Sequence, residues 1–336
     1  MIPNILQKSY DFVRGFNYQP SYGSHEVEIW KKFDPQVVEL ELRRGKWYFP
    51  KMNCIRIWMS WNAFMHGPDH FGYAFDKIID ICGQLDLSVQ PCLFNRWHDP
   101  VLDWGGIYTD HFVPRVSWIS REWEWWKGKR NDKMFDAYIE RIVGPHAKDE
   151  RIFSWDMACE PFSYYEHGLE EHPHIRDAEF NWLKGIREHI LSLGAVAPIT
   201  VGMHNAYGIK GYEFVETLCD IICFHSYWIP GTQEKKDFEK ELDDTVAFAE
   251  KVGKPIINNE TCWGKHDHQE HVEVIKYTLG ELVKRKIGFL PHALHWSGVA
   301  DLHYPEDGPT AGPENLAFID KDGSLRPGHE VYNDFC

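Results

Sequence analysis

Eight short apolar runs recur along the 336-residue chain, and longer segments with apolar residues at helical spacing separate them. The runs are apolar over most of their length, which is typical of parallel strands that are covered on both faces. The predicted strands are Arg14–Tyr18, Asn53–Met59, Ser88–Phe94, Ile152–Ala158, Ile199–Met203, Ile221–His225, Pro255–Glu260 and Leu290–Trp296. The predicted helices are Phe75–Leu85, Lys133–Ala147, Glu179–Leu193, Phe238–Val252 and His271–Lys286.

This repeated alternation of strand and helix predicts an α/β fold, and more specifically a single (β/α)8 TIM barrel. An open doubly wound sheet is the alternative that the pattern leaves. The length lies within the range of about 200 to over 400 residues that such barrels span. Because the sequence contains no linker and no low-complexity tract, residues 1–336 are expected to form one catalytic domain.

The connection after the third predicted strand, at about residues 95–132, is long and rich in tryptophan. A loop of this length is either functional or disordered, and its aromatic content argues against disorder. In a barrel it would cover the C-terminal face, where active sites lie. Its tryptophans are Trp97, Trp104, Trp118, Trp123, Trp125 and Trp126. Of these, Trp123, Trp125 and Trp126 are the better candidates for a substrate wall or a subunit contact.

Charge and cysteine content limit the partners and the compartment. The net charge of −15 repels phosphate backbones and anionic lipids, so neither nucleic acid nor membrane is an expected partner. No apolar run is long enough to cross a bilayer, and the N-terminus does not resemble a signal peptide. The eight cysteines include no C-x-x-C pair, which favours buried free thiols in a reducing compartment. A cytoplasmic location is therefore expected, although a removed signal and the oligomeric state stay open.

Two glutamates end predicted strands on the same face of the expected barrel. Glu160 follows the fourth strand and Glu260 ends the seventh, and they are 100 residues apart in the sequence. At roughly 30 to 35 residues for each β/α unit, this spacing corresponds to three units, so both carboxyl groups would reach the same cleft. Cleavage of a glycosidic bond requires such a pair, with one carboxyl group protonated and the other ionised.

The order of several motifs resembles glycoside hydrolase clan A, and most of all its family 5 enzymes of the cellulase, mannanase and xylanase type. The resemblance extends from Arg14 to about Trp296, which is nearly the whole chain. The residues that carry it are Arg14–Tyr18 (RGFNY), Arg56–Trp61 (RIWMSW), Trp155–Pro161 (WDMACEP), His225–Tyr227 (HSY), Glu260 and His295–Trp296 (HW).

The resemblance implies a role for each matching position. Glu160 corresponds to the acid/base and Glu260 to the nucleophile. Arg56 and Tyr227 would hold the nucleophile, His225 would bond the acid/base or the sugar, and Trp296 would form the floor of the subsite for the reacting sugar. Residues expected to reach hydroxyl groups or to stack on the sugar are Trp61, Asn95, Arg96, Trp97, His98 and Trp263. Each of these also has a purely structural interpretation, in the core or as an anchor for a loop.

Cys159 departs from the family pattern, which has asparagine directly before the acid/base. That asparagine contacts the sugar 2-hydroxyl, and a thiol is a poor replacement as donor or acceptor. Either another residue supplies the missing contact, for which Asn205 and Asn258 are candidates, or the substrate differs at its second carbon, or the activity is low. A catalytic role for the thiol itself is disfavoured, because the sequence indicates no histidine pairing with it.

Histidine clusters raise the possibility of a metal site. His172–His174 and His266–His271 have metal-like spacing, but they lie in predicted loops or at helix starts. The first predicted strand also lacks the His-x-His motif of metal-dependent barrel hydrolases. No metal and no cofactor are therefore expected.

The predicted function is a retaining glycoside hydrolase that cleaves a β-linked oligosaccharide or glycoside by double displacement. The long aromatic loop and the expected location inside the cell favour exo action. A carbohydrate-binding pseudoenzyme on the same barrel and a transglycosylase are the alternatives, and a metal-dependent hydrolase is a third. The sugar and its linkage depend on loop geometry, which the sequence does not fix.

Overall fold

The computed structural model of the protein describes residues 1–23, 26–95, 135–162, 173–298 and 315–336. Eight parallel strands pair in chain order in one sheet. Parallel bridges between Arg14 and Phe289 and between Asn17 and His292 join the last strand to the first, so the sheet closes into a barrel. The strands are β1 Gly15–Asn17, β2 Cys54–Trp58, β3 Ser88–Phe94, β4 Trp155–Cys159, β5 Ile199–His204, β6 Ile222–His225, β7 Ile256–Thr261 and β8 Gly288–Pro291.

Helices lie between the strands and complete the (β/α)8 arrangement that the sequence predicts. The α-helices among the described residues are α1 Glu26–Lys31, α2 Pro35–Tyr48, α3 Trp61–His66, α4 Pro68–Gln84, α5 Asp136–Val143, α6 Pro173–Ser192, α7 Gly208–Val215, α8 Lys235–Val252 and α9 His268–Lys284. Short 3-10 helices occupy Asn205–Tyr207, Glu216–Leu218 and His329–Phe335. The five predicted helices correspond to α4, α5, α6, α8 and α9.

Local sequence explains where several helices begin and end. The Asp34 side chain accepts hydrogen bonds from two backbone amides at the start of α2, and Asp267 does the same for α9. Pro35 at the first position of α2 has the backbone angle that a helix needs and no amide to leave unpaired. Gly253 ends α8 in the left-handed conformation, which costs glycine nothing.

All eight predicted strands overlap the observed ones, but the eighth, predicted at Leu290–Trp296, begins two residues too late and ends five residues too late. The strand β8 is Gly288–Pro291. His292 and Leu294 after it still bond to β7 and β1, but the same segment also pairs outside the barrel. The amides of Ala293 and Trp296 donate to Leu316 and Ile319 in the C-terminal part of the chain. An apolar extended segment has the same pattern whether it pairs inside the barrel or with a later segment, so the sequence alone placed it incorrectly.

The apolar core fills the space between the barrel and its helices, and the polar residues that concern function lie within the C-terminal half of the barrel. All eight cysteines are free thiols, and all except Cys336 are buried. No helix in the described part of the chain is long and apolar enough to cross a membrane.

Candidate active site

Glu160 and Glu260 lie at the C-terminal ends of β4 and β7. Glu160 directly follows β4 in the left-handed backbone region, with φ of 50°, which a residue with a side chain adopts only when its surroundings enforce it. The pairing of β4 with β5 shifts register just before it, and β6 and β7 shift between Phe224 and His225. Such irregularities redirect side chains at the rim of a barrel. They turn both carboxyl groups into the same cleft, where Glu160 is 5% and Glu260 9% exposed.

Arg56 on β2 fixes one oxygen of Glu260. Its Nη1 donates to Glu260 Oε2 at 2.9 Å, and its Nε donates to Asp156 Oδ2 at 2.9 Å. Asn17 Oδ1 accepts a further bond from the same Nη1 at 3.0 Å. Because the guanidinium is fully buried, it requires these carboxylates as partners, and they in turn hold it in one position.

Tyr227 fixes the other oxygen of Glu260, to which its hydroxyl donates at 2.7 Å. Burial alone would raise the pKa of Glu260, but the charges of His225, His292 and Arg56 and the bond from Tyr227 lower it to about 2. Glu260 is therefore ionised at neutral pH, as a nucleophile has to be.

His225 on β6 links the two glutamates. Its Nδ1 lies 2.6 Å from Glu160 Oε1 and 3.6 Å from Glu260 Oε2. Burial lowers the pKa of His225, but the neighbouring Glu260 and Glu160 outweigh burial and raise it to about 9. The two carboxyl oxygens cannot be farther apart than the sum of these distances, which is below the roughly 6.5 Å at which the inverting geometry begins.

A glycine on β5 makes room for this arrangement. A Cβ atom on Gly202 would lie 2.7 Å from His225 Nε2, 3.1 Å from Asp156 Oδ2 and 3.2 Å from Arg56 Nη2. The Gly202 amide also donates to Asp156 Oδ1 at 3.0 Å. The close approach of three side chains thus requires glycine at this position.

Cys159, the last residue of β4, brings a thiol to the same carboxylate. Its Sγ lies 3.8 Å from Glu260 Oε2, and the residue is 2% exposed. It packs with Cys92 and Trp58 in a small buried cluster. Among the described residues, Cys159, His225 and Glu260 are the one group of three metal-ligating side chains with ligand atoms within 4.8 Å of each other.

Aromatic side chains surround the carboxylates. The Trp263 ring packs edge-on against Tyr227, with centroids 5.4 Å apart. Trp58 lies over the Arg56 guanidinium and 5.2 Å from the ring of His292. Trp61 begins α3 and packs edge-on against Phe135, so it lies beside the core and no described contact joins it to either glutamate.

The remaining predicted residues differ in where the structure places them. Asn95 is buried after β3 and donates to Glu26 Oε2 at 3.2 Å. Asn205 follows β5, and its side-chain amide donates to Glu241 Oε1 at 3.1 Å. Its predicted contact with the substrate stays a prediction. Trp296 lies beyond β8, where Lys321 Nζ is 4.5 Å from its ring. Arg96, Trp97, His98 and the tryptophans of the long loop lie outside the described residues.

Asn258 cannot replace the missing asparagine. It is fully buried on β7, and both ends of its amide bond the backbone of Ser226. The histidine cluster His266–His271 also has a structural explanation for its last member, because His271 Nδ1 lies 2.8 Å from His329 Nε2 in the core.

Sequence reasoning missed Asp156 and His292. Asp156 is an acid inside an otherwise apolar strand, and a buried charge of that kind needs a partner, so the signal was present. His292 directly follows β8, and its Nδ1 lies 3.7 Å from Glu260 Oε1. It was missed because the eighth strand was predicted to end at Trp296.

Solved structures share this barrel. The chain is similar to an exo-β-1,4-mannosidase from Opitutaceae bacterium strain TAV5, with a TM-score of 0.70, 18% identity and coverage of 96% of this chain and 58% of that one. It is also similar to a GH5_18 protein from Streptomyces cattleya in complex with GlcNAc (TM-score 0.68, 13% identity, coverage 96% and 78%). An endoglucanase from Thermotoga maritima matches with a TM-score of 0.61, 14% identity and coverage of 97% and 98%.

The structural similarity shows that the chain shares its fold with these enzymes. At identities this low, it shows nothing about activity or substrate. No protein-family profile matches the sequence, and no curated protein matches it significantly. The chemistry of this chain therefore has to be argued from its own residues.

Proposed function

We propose that the protein is a retaining glycoside hydrolase of the clan A type that acts on a β-linked oligosaccharide or glycoside. The observation that carries the proposal is the pair Glu160 and Glu260, joined through one imidazole nitrogen within 3.6 Å of both. The two nearest carboxyl oxygens are closer than the roughly 6.5 Å at which an inverting enzyme accommodates a water, which favours direct attack by the carboxylate.

In the first step, ionised Glu260 attacks the anomeric carbon and forms a glycosyl ester. The leaving oxygen takes a proton from Glu160 as the glycosidic bond breaks. His225 Nδ1 is hydrogen-bonded to Oε1 of Glu160. The proton that Glu160 gives to the leaving group is therefore carried by its other oxygen, Oε2. Arg56 and Tyr227 hold the attacking carboxylate in position and keep it ionised.

In the second step, Glu160 removes a proton from water, which attacks the anomeric carbon and releases Glu260. The sugar leaves with its original configuration because two inversions cancel. A sugar hydroxyl in place of water would give transglycosylation with the same residues, so the two reactions differ only in the acceptor.

We propose further that the protein is exo-acting on short oligosaccharides. Its support is the similarity in fold to a protein described as an exo-β-1,4-mannosidase, together with the long aromatic connection after β3. The endoglucanase of the same fold marks the alternative. Product analysis on a β-linked tetrasaccharide decides between them, since exo action releases one sugar at a time from one end.

The test of the chemistry is activity on a panel of β-linked disaccharides and aryl β-glycosides. Glu160→Gln lowers kcat about 10²–10⁴-fold, the usual contribution of a general acid. Glu260→Gln lowers it at least as far, because no nucleophile remains. Glu281→Gln on α9, a matched change of a carboxylate that pairs with Arg285, retains activity. Equal activity of all three variants, or no activity of the unaltered protein on any glycoside, contradicts the proposal and favours a carbohydrate-binding protein.

A further inference from the structure

Three strands deliver three different metal-ligating side chains to one point in the cleft. Cys159 comes from β4, His225 from β6 and Glu260 from β7, and one ligand atom of each lies within 4.8 Å of the others. Thiolate, imidazole and carboxylate are the three protein ligands that Zn²⁺ takes. The hydrolytic mechanism above uses the histidine and the glutamate but gives the thiol no part.

The two distances from Glu260 to the other ligands are close to those of a tetrahedral site. With Zn²⁺ bonds of about 2.0–2.3 Å, neighbouring ligand atoms in a tetrahedron lie roughly 3.3–3.6 Å apart. Glu260 Oε2 lies 3.8 Å from Cys159 Sγ and 3.6 Å from His225 Nδ1. The ligand atoms of Cys159 and His225 lie within 4.8 Å of each other, so these two side chains have to approach each other to complete the coordination.

We propose that Cys159, His225 and Glu260 form a binding site for a soft divalent cation of the zinc type, which occupies the cleft in competition with substrate. The cation is an inhibitor in this proposal and has no part in hydrolysis. Glu160 Oε1 lies 2.6 Å from the same imidazole nitrogen, so its carboxylate stands beside the ion and becomes a further ligand once it has moved away from that nitrogen. Three protein ligands with a water in the fourth position are the coordination of a zinc site that exchanges its fourth ligand.

The charge around the site accommodates a cation. Arg56 donates to Glu260 Oε2, but Asp156 binds the same guanidinium at 2.9 Å and balances it. Glu160 and Glu260 then remain as two carboxylates facing the ion. Tyr227 binds Oε1 of Glu260 and not the Oε2 that would face the ion, so its hydrogen bond is retained.

Binding exchanges protons for the ion. The thiol of Cys159 loses its proton to solvent when the Zn–S bond forms, and the imidazole gives up the proton on Nδ1 when the Zn–N bond forms. Affinity therefore rises with pH. Inhibition follows because the ion occupies the carboxylate that attacks the sugar, and this consequence rests on the proposed function, whereas binding itself does not.

The test uses Co²⁺ as a spectroscopic substitute for Zn²⁺ on the whole purified chain. Thiolate coordination gives a sulfur-to-cobalt charge-transfer band in the near ultraviolet, and Zn²⁺ added afterwards removes it. Cys159→Ser and Cys159→Asn abolish the band and weaken Zn²⁺ binding in calorimetry at least about tenfold, as loss of a metal ligand does. Cys336→Ser removes the one cysteine that is not buried, and this control keeps the band. A thermal melt of each variant verifies that it is folded.

The outcomes separate this proposal from the proposed function. A band that is absent from the unaltered protein, persists in both Cys159 variants or disappears in Cys336→Ser overturns the site. If the band behaves as expected but no glycoside is cleaved, the metal site stands and the hydrolase proposal fails. If glycosides are cleaved, Zn²⁺ raises the apparent KM at least about tenfold, EDTA reverses this, and the Cys159 variants are insensitive.

Discussion

His225 contacts Glu160, and its charge acts on the neighbouring Glu260. Its Nδ1 is within hydrogen-bonding distance of Glu160, and its positive charge is the strongest of the neighbouring influences that lower the pKa of Glu260. The imidazole stays protonated up to about pH 9, because the two glutamates outweigh the effect of burial. His225 therefore contributes most to keeping Glu260 ionised over the neutral range, together with His292, Arg56 and Tyr227.

Replacement of His225 tests this dependence. In His225→Gln the positive charge is lost, so the pKa of Glu260 rises from about 2 towards its ordinary value. Because activity needs the ionised carboxylate, the acid limb of kcat/KM moves to higher pH, and the limb that His225 sets near pH 9 disappears. A pH–rate profile measures both changes. His189→Gln, on the outer helix α6, is the control, and a profile of His225→Gln that coincides with it contradicts this role.

At the scale of single residues, the sequence indicated several of the residues that the structure brings together around Glu160 and Glu260. It did not indicate which further residues contact them. The positions of Arg56, His225 and Tyr227 followed from a resemblance in motif order. Their partners Asp156 and His292 did not, because those contacts join strands that are far apart in the sequence. The proximity of Cys159 to His225 was missed for the same reason.

At the scale of elements, β5 contributes a position without a side chain, Gly202. Gly202 lies where β4, β5 and β6 converge, and its missing side chain leaves room for His225, Asp156 and Arg56. The strand thus determines how closely the charged groups pack, although it supplies no catalytic side chain.

A methyl group at this position disturbs the whole cluster. Gly202→Ala lowers the free energy of unfolding by about 1–3 kcal/mol through overpacking, and it lowers kcat because His225 and Arg56 are displaced. Gly185→Ala on α6 is the matched control: nothing lies within 4 Å of its Cβ, so it is neutral or stabilising by about 0.5–1 kcal/mol. Urea unfolding and steady-state kinetics measure both. Unchanged stability and kcat in Gly202→Ala would show that the close packing of His225, Asp156 and Arg56 does not depend on glycine at this position.

Element prediction succeeded where the local pattern and the final pairing agree. The run Ser88–Phe94 is apolar and enclosed on both faces, and its predicted bounds are those observed. The predicted eighth strand ended too late, because residues 293–296 also pair with a segment that lies beyond residue 314. Local periodicity contains no information about so distant a partner.

At the scale of the whole molecule, the C-terminal segment packs against the first strand and the last α-helix. Tyr332 stacks on Phe16 of β1 with centroids 4.5 Å apart, and His329 bonds His271 of α9. Burial lowers the pKa of His329 to about 4, helped by the positive charges of Arg326 and His268. Burial lowers the pKa of His271 as well.

This buried pair makes stability depend on pH. The folded pKa of His329 is lower than the unfolded value of about 6.5, so the unfolded state binds more protons between those values. Stability therefore falls as the pH decreases from 6.5 to 4, by up to about 3 kcal/mol for this group. In His329→Gln the fall is smaller, which urea unfolding at pH 7 and pH 4.5 measures. An equal fall in His329→Gln and in the surface control His189→Gln would show that other groups are responsible.

The central claim is that Glu260 forms a covalent bond to the sugar. The most direct measurement is intact-protein mass spectrometry after incubation with a panel of 2-deoxy-2-fluoro β-glycosyl fluorides, followed by peptide mapping. The account predicts one added sugar on Glu260, present with Glu281→Gln and absent with Glu260→Gln. A sugar attached to Glu160 or Cys159, or no attachment by a sugar whose aryl glycoside the protein cleaves, would contradict it.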